Sequence, residues 1–246
     1  MSKLAIVGAM HEELRALLDH MPDELPVLRA GREFWVGHLD GHEVVVVLSR
    51  IGKVAAATTA TLLLTEFEVD RIVFTGTAGG LGDGVRVGDV VVADALLQHD
   101  MDASPLFPRY EVPLYGVDRF APDAAMSQAL AEAAQAMLAQ TGEPGARVHR
   151  GLIVSGDRFV SQRVENDALR ARLPSALAVE MEGAALAQVC HDFGVPFAVV
   201  RTVSDRADDA AHVDFNRFVA EVASRYTLSI VQHYLRSLHQ PPRKQP

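Results

Sequence analysis

The sequence predicts an α/β protein with a mixed, mostly parallel central sheet and helices on both of its faces. Short aliphatic runs alternate along the chain with segments whose apolar residues recur at helical spacing, the pattern of strands connected by helices. The chain also contains no internal repeat, low-complexity stretch or interdomain linker. We therefore expect residues 1–240 to form a single domain, followed by a frayed basic tail at residues 241–246.

The individual elements follow from apolar spacing and turn residues. Strands are predicted at residues 4–7, 34–39, 43–48, 71–75, 85–93, 148–154 and 197–203, with a short extended segment at 178–179. Asp40-Gly41 predicts a hairpin between the second and third strands, and Gly88-Asp89 a turn within the fifth. Helices are predicted after Gly8 (residues 12–17) and at residues 54–65, 124–138, 183–193 and 215–238. The proline-rich segment 99–120 predicts a surface loop, a lid or a subunit contact.

Composition excludes several classes of protein. The 246 residues are 49% hydrophobic and 22% charged, with a formal net charge of −9, so we expect no binding to nucleic acid or to an anionic membrane. The single cysteine, Cys190, cannot form an internal disulfide and fits a reducing compartment. No apolar run reaches the ~18–20 residues that a membrane span needs, and the N-terminus lacks a signal-peptide pattern. These features predict a cytoplasmic protein.

Carboxylates stand where predicted strands end. In open α/β sheets, ligands bind beyond the carboxyl ends of the strands, and Glu13, Glu180, Glu182 and Asp205 all occupy such places. This arrangement is typical of an acid/base site. A structural role remains open for each of them, because acidic residues also stabilise the first turn of a helix and aspartate is a frequent helix N-cap.

The glycine-rich segment 76–80 matches neither a dinucleotide-binding fingerprint nor a P-loop. It is either a tight strand exit or a backbone that a ligand approaches closely. The histidines lack metal-ligand spacing and no Gly-x-Ser-x-Gly elbow occurs, so neither a metal site nor nucleophilic catalysis is predicted.

Seven short motifs together resemble those of the bacterial methylthioadenosine/S-adenosylhomocysteine nucleosidases, within the nucleoside phosphorylase superfamily. They lie, in family order, at residues 6–13, 52–56, 75–80, 99–100, 152–159, 179–182 and 204–205. The resemblance covers nearly the whole chain. It implies a three-layer αβα fold, a homodimer without metal or organic cofactor, and an adenine nucleoside as substrate. The implied reaction is hydrolysis of the N-glycosidic bond of methylthioadenosine and S-adenosylhomocysteine, and also of 5′-deoxyadenosine.

The resemblance also implies a role for each site residue. Glu13 matches the general base that deprotonates water. Asp205, oriented by Ser204, matches the acid that protonates N7 of adenine, and burial or a neighbouring negative charge must favour its neutral form. Glu182 matches the carboxylate that binds the ribose hydroxyls, and Arg201 would pair with it. Further substrate contacts are implied for Met10, Ile51, Thr77, Ala78, Gly79, Phe159, Val160, Glu180, Met181 and Phe215. From the neighbouring subunit, contacts with the 5′-substituent are implied for Leu106, Phe107 and Pro113.

Two rival functions are weighed against hydrolysis. A purine nucleoside phosphorylase would share the fold but would need cationic groups for phosphate. Phe74 stands where the related phosphorylases have an arginine, and Glu13 would repel phosphate, whereas Arg50 is the one residue that could favour an anion. A non-catalytic nucleoside-binding protein is the second rival, and the presence of both Glu13 and Asp205 opposes it.

Overall fold

The computed structural model describes residues 3–141, 145–207 and 222–238. Phe215, the start of the predicted helix 215–238 and the tail 241–246 lie outside these residues. The strands are β1 (Leu4–Gly8), β2 (Leu25–Arg29), β3 (Arg32–Leu39), β4 (His42–Leu48), β5 (Arg71–Phe74), β6 (Thr77–Gly80), β7 (Val90–Gln98), β8 (Val148–Ser155), β9 (Ala176–Glu180) and β10 (Phe197–Asp205). The helices are α1 (His11–Leu18), α2 (Lys53–Thr65), α3 (Ala124–Thr141), α4 (Arg163–Arg172), α5 (Gly183–Phe193) and α6 (Ser224–Leu238).

All ten described strands belong to one mixed sheet in the order β2-β3-β4-β1-β5-β10-β6-β9-β8-β7. Six of its pairings are parallel and four are antiparallel, which confirms the predicted fold class. The long strand β10 joins the two halves of the sheet. Its first residues pair with β5, and its later residues pair with β6 on one side and with β7 on the other. The strand that ends in Asp205 is therefore hydrogen-bonded along both edges.

The core consists of two main apolar layers, one on each face of the sheet. Alternate side chains of β1 point to opposite faces, so that Ala5 and Val7 belong to one layer and Leu4 and Ile6 to the other. The first layer is covered by α2 and α5, and the second by α1, α3 and α6. This is a three-layer αβα arrangement. No helix of the described chain combines the length and apolar character needed to cross a membrane.

The fifth strand prediction is wrong in its boundaries. The strand runs from Val90 to Gln98, and residues 85–89 precede it as a turn. Asp89 is fully buried there, and its carboxylate accepts hydrogen bonds from the backbone N–H groups of Arg86 (3.0 Å) and Arg147 (2.8 Å). A buried carboxylate needs such donors, so the chain turns around Asp89 before it extends.

The glycine-rich segment is more regular than the sequence suggests. Residues 77–80 form strand β6, with Gly79 and Gly80 paired to Val179 and Ala178 of β9. Two further elements, β2 and α4, were not predicted. Strand β2 is an exposed edge strand, and half of the residues of α4 are charged, so neither carries a clear apolar period.

The hairpin prediction is confirmed, since β3 and β4 pair antiparallel across Asp40-Gly41. The segment 99–120 connects β7 to α3 mostly through turns, and its end is tied to the sheet by a bridge between Leu96 and Phe120. Whether it acts as a lid or as a subunit contact stays a prediction.

Leu177 packs against two glycines, which predicts a specific cost for enlarging either of them. A Cβ atom added to Gly151 would lie 2.6 Å from Leu177 Cδ1, and one added to Gly82 would lie 2.7 Å from Leu177 Cδ2. We expect Gly151→Ala to lower the free energy of unfolding by roughly 1–3 kcal/mol through overpacking, as measured by urea denaturation. In a Leu177→Ala background the same substitution should cost much less. An equal loss in both backgrounds would contradict this packing argument.

Candidate active site

A cavity of about 410 Å³ lies beside β6, where β1, β5, β9 and β10 end. Its volume is in the range of small-molecule sites. The lining residues are Ala9, Met10, Glu13, Ile51, Thr75, Gly76, Thr77, Ala78, Gly79, Phe159, Val179, Glu180, Met181, Glu182, Arg201, Ser204 and Asp205. The structure thus brings the carboxylates that follow three separate strands into one apolar-walled cavity.

Glu13 is a buried carboxylate held by four donors. Its Oε2 atom accepts hydrogen bonds from the backbone N–H groups of Ala9 (2.8 Å) and Met10 (3.0 Å). Its Oε1 atom accepts the backbone N–H and the hydroxyl of Thr77, both at 3.0 Å. Burial raises the pKa of Glu13, while the attraction of Arg201 and these backbone donors lower it and only partly offset the effect. A carboxylate with a raised pKa and a fixed orientation suits a general base.

Glu180 and Arg201 form a buried ion pair beneath the cavity. Arg201 Nη2 lies 2.7 Å from Glu180 Oε2, and both side chains are almost fully buried. The prediction that Arg201 pairs with Glu182 is therefore wrong. The guanidinium also donates to the carbonyl of Phe74 (3.1 Å) and stacks over the Phe74 ring at 4.1 Å. Phe74 thus holds the cation in place.

The carboxylate of Glu180 is fully occupied by protein donors. Besides Arg201, it accepts hydrogen bonds from the Ser155 hydroxyl and from the backbone N–H groups of Glu182 and Gly183. A carboxylate offers about four lone-pair positions, so little capacity remains for a ligand. Although Glu180 lines the cavity, its role in this geometry is to orient Arg201 and the chain that carries Glu182.

Glu182 presents a carboxylate that is only partly satisfied. Its Oε1 atom accepts the backbone N–H of Gly52 at 2.8 Å, and its Oε2 atom has no hydrogen-bond partner among the described residues. Burial, together with the negative charge of Glu180, raises the pKa of Glu182 to about 8. This side chain can therefore accept a hydrogen bond from a ligand, and its neutral form is populated near neutral pH.

Asp205 lies at the end of β10 and is 1% exposed. Its Oδ1 atom accepts the backbone N–H of Ala207 at 2.7 Å, and its Oδ2 atom lies 2.8 Å from the Ser204 hydroxyl. The same hydroxyl lies 3.3 Å from the carbonyl oxygen of Ala78. Ser204 can therefore donate its proton to an ionised Asp205, or donate to Ala78 and accept a hydrogen bond from a protonated Asp205. The contact persists in both protonation states.

Two glycines allow the backbone to approach these carboxylates. A Cβ atom on Gly76, whose φ is +145°, would lie 3.0 Å from Glu13 Oε1, and one on Gly79 would lie 3.0 Å from Asp205 Oδ1. The glycines of this segment thus allow the backbone to approach the carboxylates of Glu13 and Asp205. Close approach of the segment to a ligand, one of the two interpretations left open by the sequence, stays a prediction.

A polar network outside the cavity connects its two ends. Lys53 Nζ lies 2.7 Å from Asp100 Oδ1, and the other Asp100 oxygen accepts the backbone N–H of Asp157 at 3.0 Å. Asp157 in turn accepts the backbone N–H of Lys53 at 2.7 Å. The residue before Lys53 is Gly52, the donor to Glu182, and Phe159 follows two residues after Asp157. The network thus ties the Glu182 end of the cavity to the Phe159 end.

A family model described as the phosphorylase superfamily matches residues 3–236. The chain belongs to the phosphorylase superfamily.

Similar solved structures place the chain among the nucleosidases of that superfamily. The 5′-methylthioadenosine/S-adenosylhomocysteine nucleosidase of Neisseria meningitidis, in complex with methylthio-immucillin-A, is 38% identical, with a TM-score of 0.88 over 96% of this chain and 100% of that one. The Streptococcus pneumoniae enzyme, with a transition-state inhibitor, is 36% identical, with a TM-score of 0.86 over 96% and 99% of the two chains. The futalosine hydrolase of Helicobacter pylori is 30% identical, with a TM-score of 0.85 over 96% and 98%. The protein is an enzyme, an N-glycosyl hydrolase.

Most of the nucleosidase residues singled out from the sequence line the cavity. Val160 does not; it borders a smaller recess together with Phe159 and Asp205. Phe107 and Pro113 are partly exposed and lie outside the cavity of their own chain, so their contact with a neighbouring subunit stays a prediction. Within the described residues, no three His, Cys, Asp or Glu side chains are grouped so that they could hold a metal ion.

The sequence motifs contain Gly52, Lys53, Asp100 and Asp157 but do not indicate a role for any of them. Gly52 has a φ of +98°, a conformation that favours glycine, and this lets its N–H point at Glu182. Only their presence in the motifs marks these residues in the sequence. Their contacts join segments about 50 to 130 residues apart, and no local pattern predicts such contacts.

We expect substitutions in the network around Asp100 to lower activity more than they lower the free energy of unfolding. Lys53→Met or Asp100→Asn should lower kcat/KM for nucleoside hydrolysis about tenfold or more, because small displacements of positioning groups are costly. The free energy of unfolding should fall by only about 1 kcal/mol or less, since the pair is partly exposed. Lys53→Arg should restore part of the activity. Lys3→Met, which removes a surface ion pair to Glu43, is the matched control. Parallel losses of stability and activity would indicate a purely structural network.

The raised pKa of Glu182 predicts how stability depends on pH. A carboxyl whose pKa rises from 4.5 in the unfolded chain to about 8 in the folded protein contributes stability that is complete below pH 4.5 and is lost as the pH rises through about 8. Glu182→Gln removes this loss. Relative to the wild type, we expect the variant to gain about 1 kcal/mol or more of unfolding free energy between pH 5 and pH 9.

Urea denaturation at a series of pH values measures this difference. Glu12→Gln, which makes the same substitution at an exposed carboxylate beside Glu13, is the matched control. A Glu182→Gln difference that does not grow with pH would contradict the pKa argument.

Proposed function

We propose that the nucleosidase hydrolyses the N-glycosidic bond of 5′-methylthioadenosine and S-adenosylhomocysteine, and also of 5′-deoxyadenosine. The products are adenine and the corresponding 5′-substituted ribose. The observation that carries the proposal is the presence of Glu13 and Asp205, two buried carboxyl groups from α1 and β10, in one cavity of nucleoside size. The similarity to nucleosidases of this specificity supports it.

The proposed reaction transfers one proton on each side of the sugar. The bond from C1′ to N9 breaks, its electron pair passes to adenine, and Asp205 protonates N7 so that the base leaves neutral. Water adds to C1′ as Glu13 accepts its proton. Exchange with solvent then returns both carboxyl groups to their starting states. Each positioned proton transfer typically contributes about 10²–10⁴-fold to the rate, and the Ser204 hydroxyl can follow the change at Asp205.

The remaining cavity residues suit the other parts of the substrate. We propose that Glu182 accepts hydrogen bonds from the ribose hydroxyls through Oε2 and favours positive charge on the sugar, while Met181 packs against the ribose. Phe159 lines the cavity and is 41% exposed, and we propose that it stacks on adenine. The backbone of Val160 would read the edge of the base.

Phosphorolysis is disfavoured by the charges of the cavity. Four acidic residues line it, and Arg201, the one cationic residue among the lining residues that the structure describes, is paired with Glu180. A phosphate ion would therefore meet acidic groups and no uncompensated cation in the described part of the cavity. Arg50, the residue that could have favoured an anion, donates to the carbonyl of Gly31 and is not part of the cavity lining.

The 5′ end of the substrate would lie between Met10 and Ile51. Ile51 is 57% exposed, and Val54, Leu106 and Leu114 are also strongly exposed. Exposed apolar side chains of this size are typical of an interaction surface. We propose a homodimer in which Phe107 and Pro113 of one subunit complete the 5′ pocket of the other.

We also propose that the enzyme acts in the cytoplasm, in methionine salvage and S-adenosylhomocysteine catabolism.

The proposed hydrolysis predicts adenine release from methylthioadenosine in phosphate-free buffer, at a rate that phosphate does not change. We expect Glu13→Gln and Asp205→Asn each to lower kcat by about 10²-fold or more. Glu12→Gln, an exposed neighbour on the same helix, should retain wild-type activity. Adenine and the sugar product are measured by chromatography.

Each alternative outcome has a distinct meaning. Release that requires phosphate and yields a sugar 1-phosphate would identify a phosphorylase, and no release in either buffer would contradict the proposed substrates. Parallel assays with S-adenosylhomocysteine, 5′-deoxyadenosine and futalosine compare 5′ substituents. Futalosine is included because a futalosine hydrolase is among the similar structures and the 5′ end of the cavity is open at Ile51.

A further inference from the structure

A second pocket, of about 320 Å³, lies beside the loop that follows strand β6 and shares no lining residue with the catalytic cavity. We call it the arginine pocket. Its charged lining residues are Arg86, Arg163, Arg170, Arg206, Asp83 and Asp167. Four arginines against two aspartates leave a formal charge of +2, in a chain whose net charge is −9.

The arginines are carried by three separate segments with a fixed backbone. Arg163 and Arg170 lie seven residues apart on α4, hence on one face of that helix. Asn166, on the same face and 6% exposed, donates from Nδ2 to the carbonyl oxygen of Arg206 at 2.9 Å. This bond fixes the chain after β10 against α4 and leaves the Arg206 side chain exposed at the pocket.

The third segment is the loop that carries Arg86. The N–H groups of Leu81 and Gly82 both donate to the carbonyl oxygen of Leu177, at 2.9 and 3.1 Å. At the other end of the loop, the backbone N–H of Arg86 donates to the buried Asp89. The loop is therefore anchored on both sides of the pocket.

Only part of the positive charge is neutralised within the chain. Arg170 forms an ion pair with Asp83. Within the described part of the chain, Arg86 and Arg206 take part in no ion pair. Guanidinium groups bind phosphate oxygens through paired N–H donors, and two uncompensated charges match a ligand with two negative charges.

We propose that the arginine pocket binds a phosphate dianion, either inorganic phosphate or the phosphate group of a small monoester. Arg86 and Arg206 supply the uncompensated donors, and Arg163 and Arg170 complete the rim. The volume leaves room for a small organic group attached to the phosphate. This site does not depend on the function proposed for the catalytic cavity, because the two share no residue.

Isothermal titration calorimetry with inorganic phosphate tests the site, with sodium chloride used to hold the ionic strength constant. We expect one equivalent to bind the wild type, and the Arg86→Gln/Arg206→Gln variant to bind about tenfold more weakly or worse, since two charge-assisted contacts are lost. Arg150→Gln is the matched control. It removes one arginine whose side chain pairs with Asp94 elsewhere on the surface, and phosphate affinity should not change.

Three results would overturn the proposal: no saturable binding at millimolar phosphate, unchanged affinity in the double variant, or an equal loss in Arg150→Gln. Unchanged affinity would also be the result if phosphate bound in the catalytic cavity.

If circular dichroism shows that the double variant is not folded, the Arg86→Gln variant alone is used for the test, and the expected loss of affinity is smaller. A parallel titration with ribose 5-phosphate distinguishes the sources, because tighter binding than phosphate indicates a monoester and weaker binding indicates the free ion.

Discussion

The ion pair between Glu180 and Arg201 is the interaction on which the rest of the site depends. It is buried beneath the cavity, and removing either partner would leave an uncompensated charge in the interior, which is strongly unfavourable. Glu180 also receives the Ser155 hydroxyl of β8 and the N–H groups that begin α5. Through these contacts one carboxylate connects β8, β9, β10 and the start of α5. The position of Glu182 follows from this connection.

The cavity combines buried negative charge with a scarcity of cations. Burial and the neighbouring charge of Glu180 raise the pKa of Glu182 to about 8, and burial also raises the pKa of Glu13. Such a site is destabilising for the empty protein and favourable for a ligand that donates hydrogen bonds or develops positive charge. A sugar that loses its base by N-glycosidic cleavage develops positive charge of this kind. Under the proposed function, stability and catalysis make opposite demands on the same carboxylates.

Local patterns were sufficient for much of the fold and for many of the cavity residues. Aliphatic runs identified β1, β4, β8 and β10 because buried strands need apolar side chains on both faces. They failed for β2 and α4, which are exposed and polar. They also misplaced the start of β7, since the turn before it is governed by the buried Asp89 and a partner some 60 residues away. The motif positions led to Glu13, Glu182 and Asp205 because these carboxylates follow closely on strand ends.

The sequence by itself determined the α/β class, the alternation of strands and helices, and the residue types available for acid/base chemistry, because these depend on composition and short-range periodicity. Only the tertiary structure decided which partners meet: Arg201 with Glu180 in place of Glu182, Gly52 with Glu182, Lys53 with Asp100, and four arginines around a pocket beyond β6. Each of these contacts joins segments that are distant in the chain. Their geometry follows from strand order and helix packing, which no local pattern specifies.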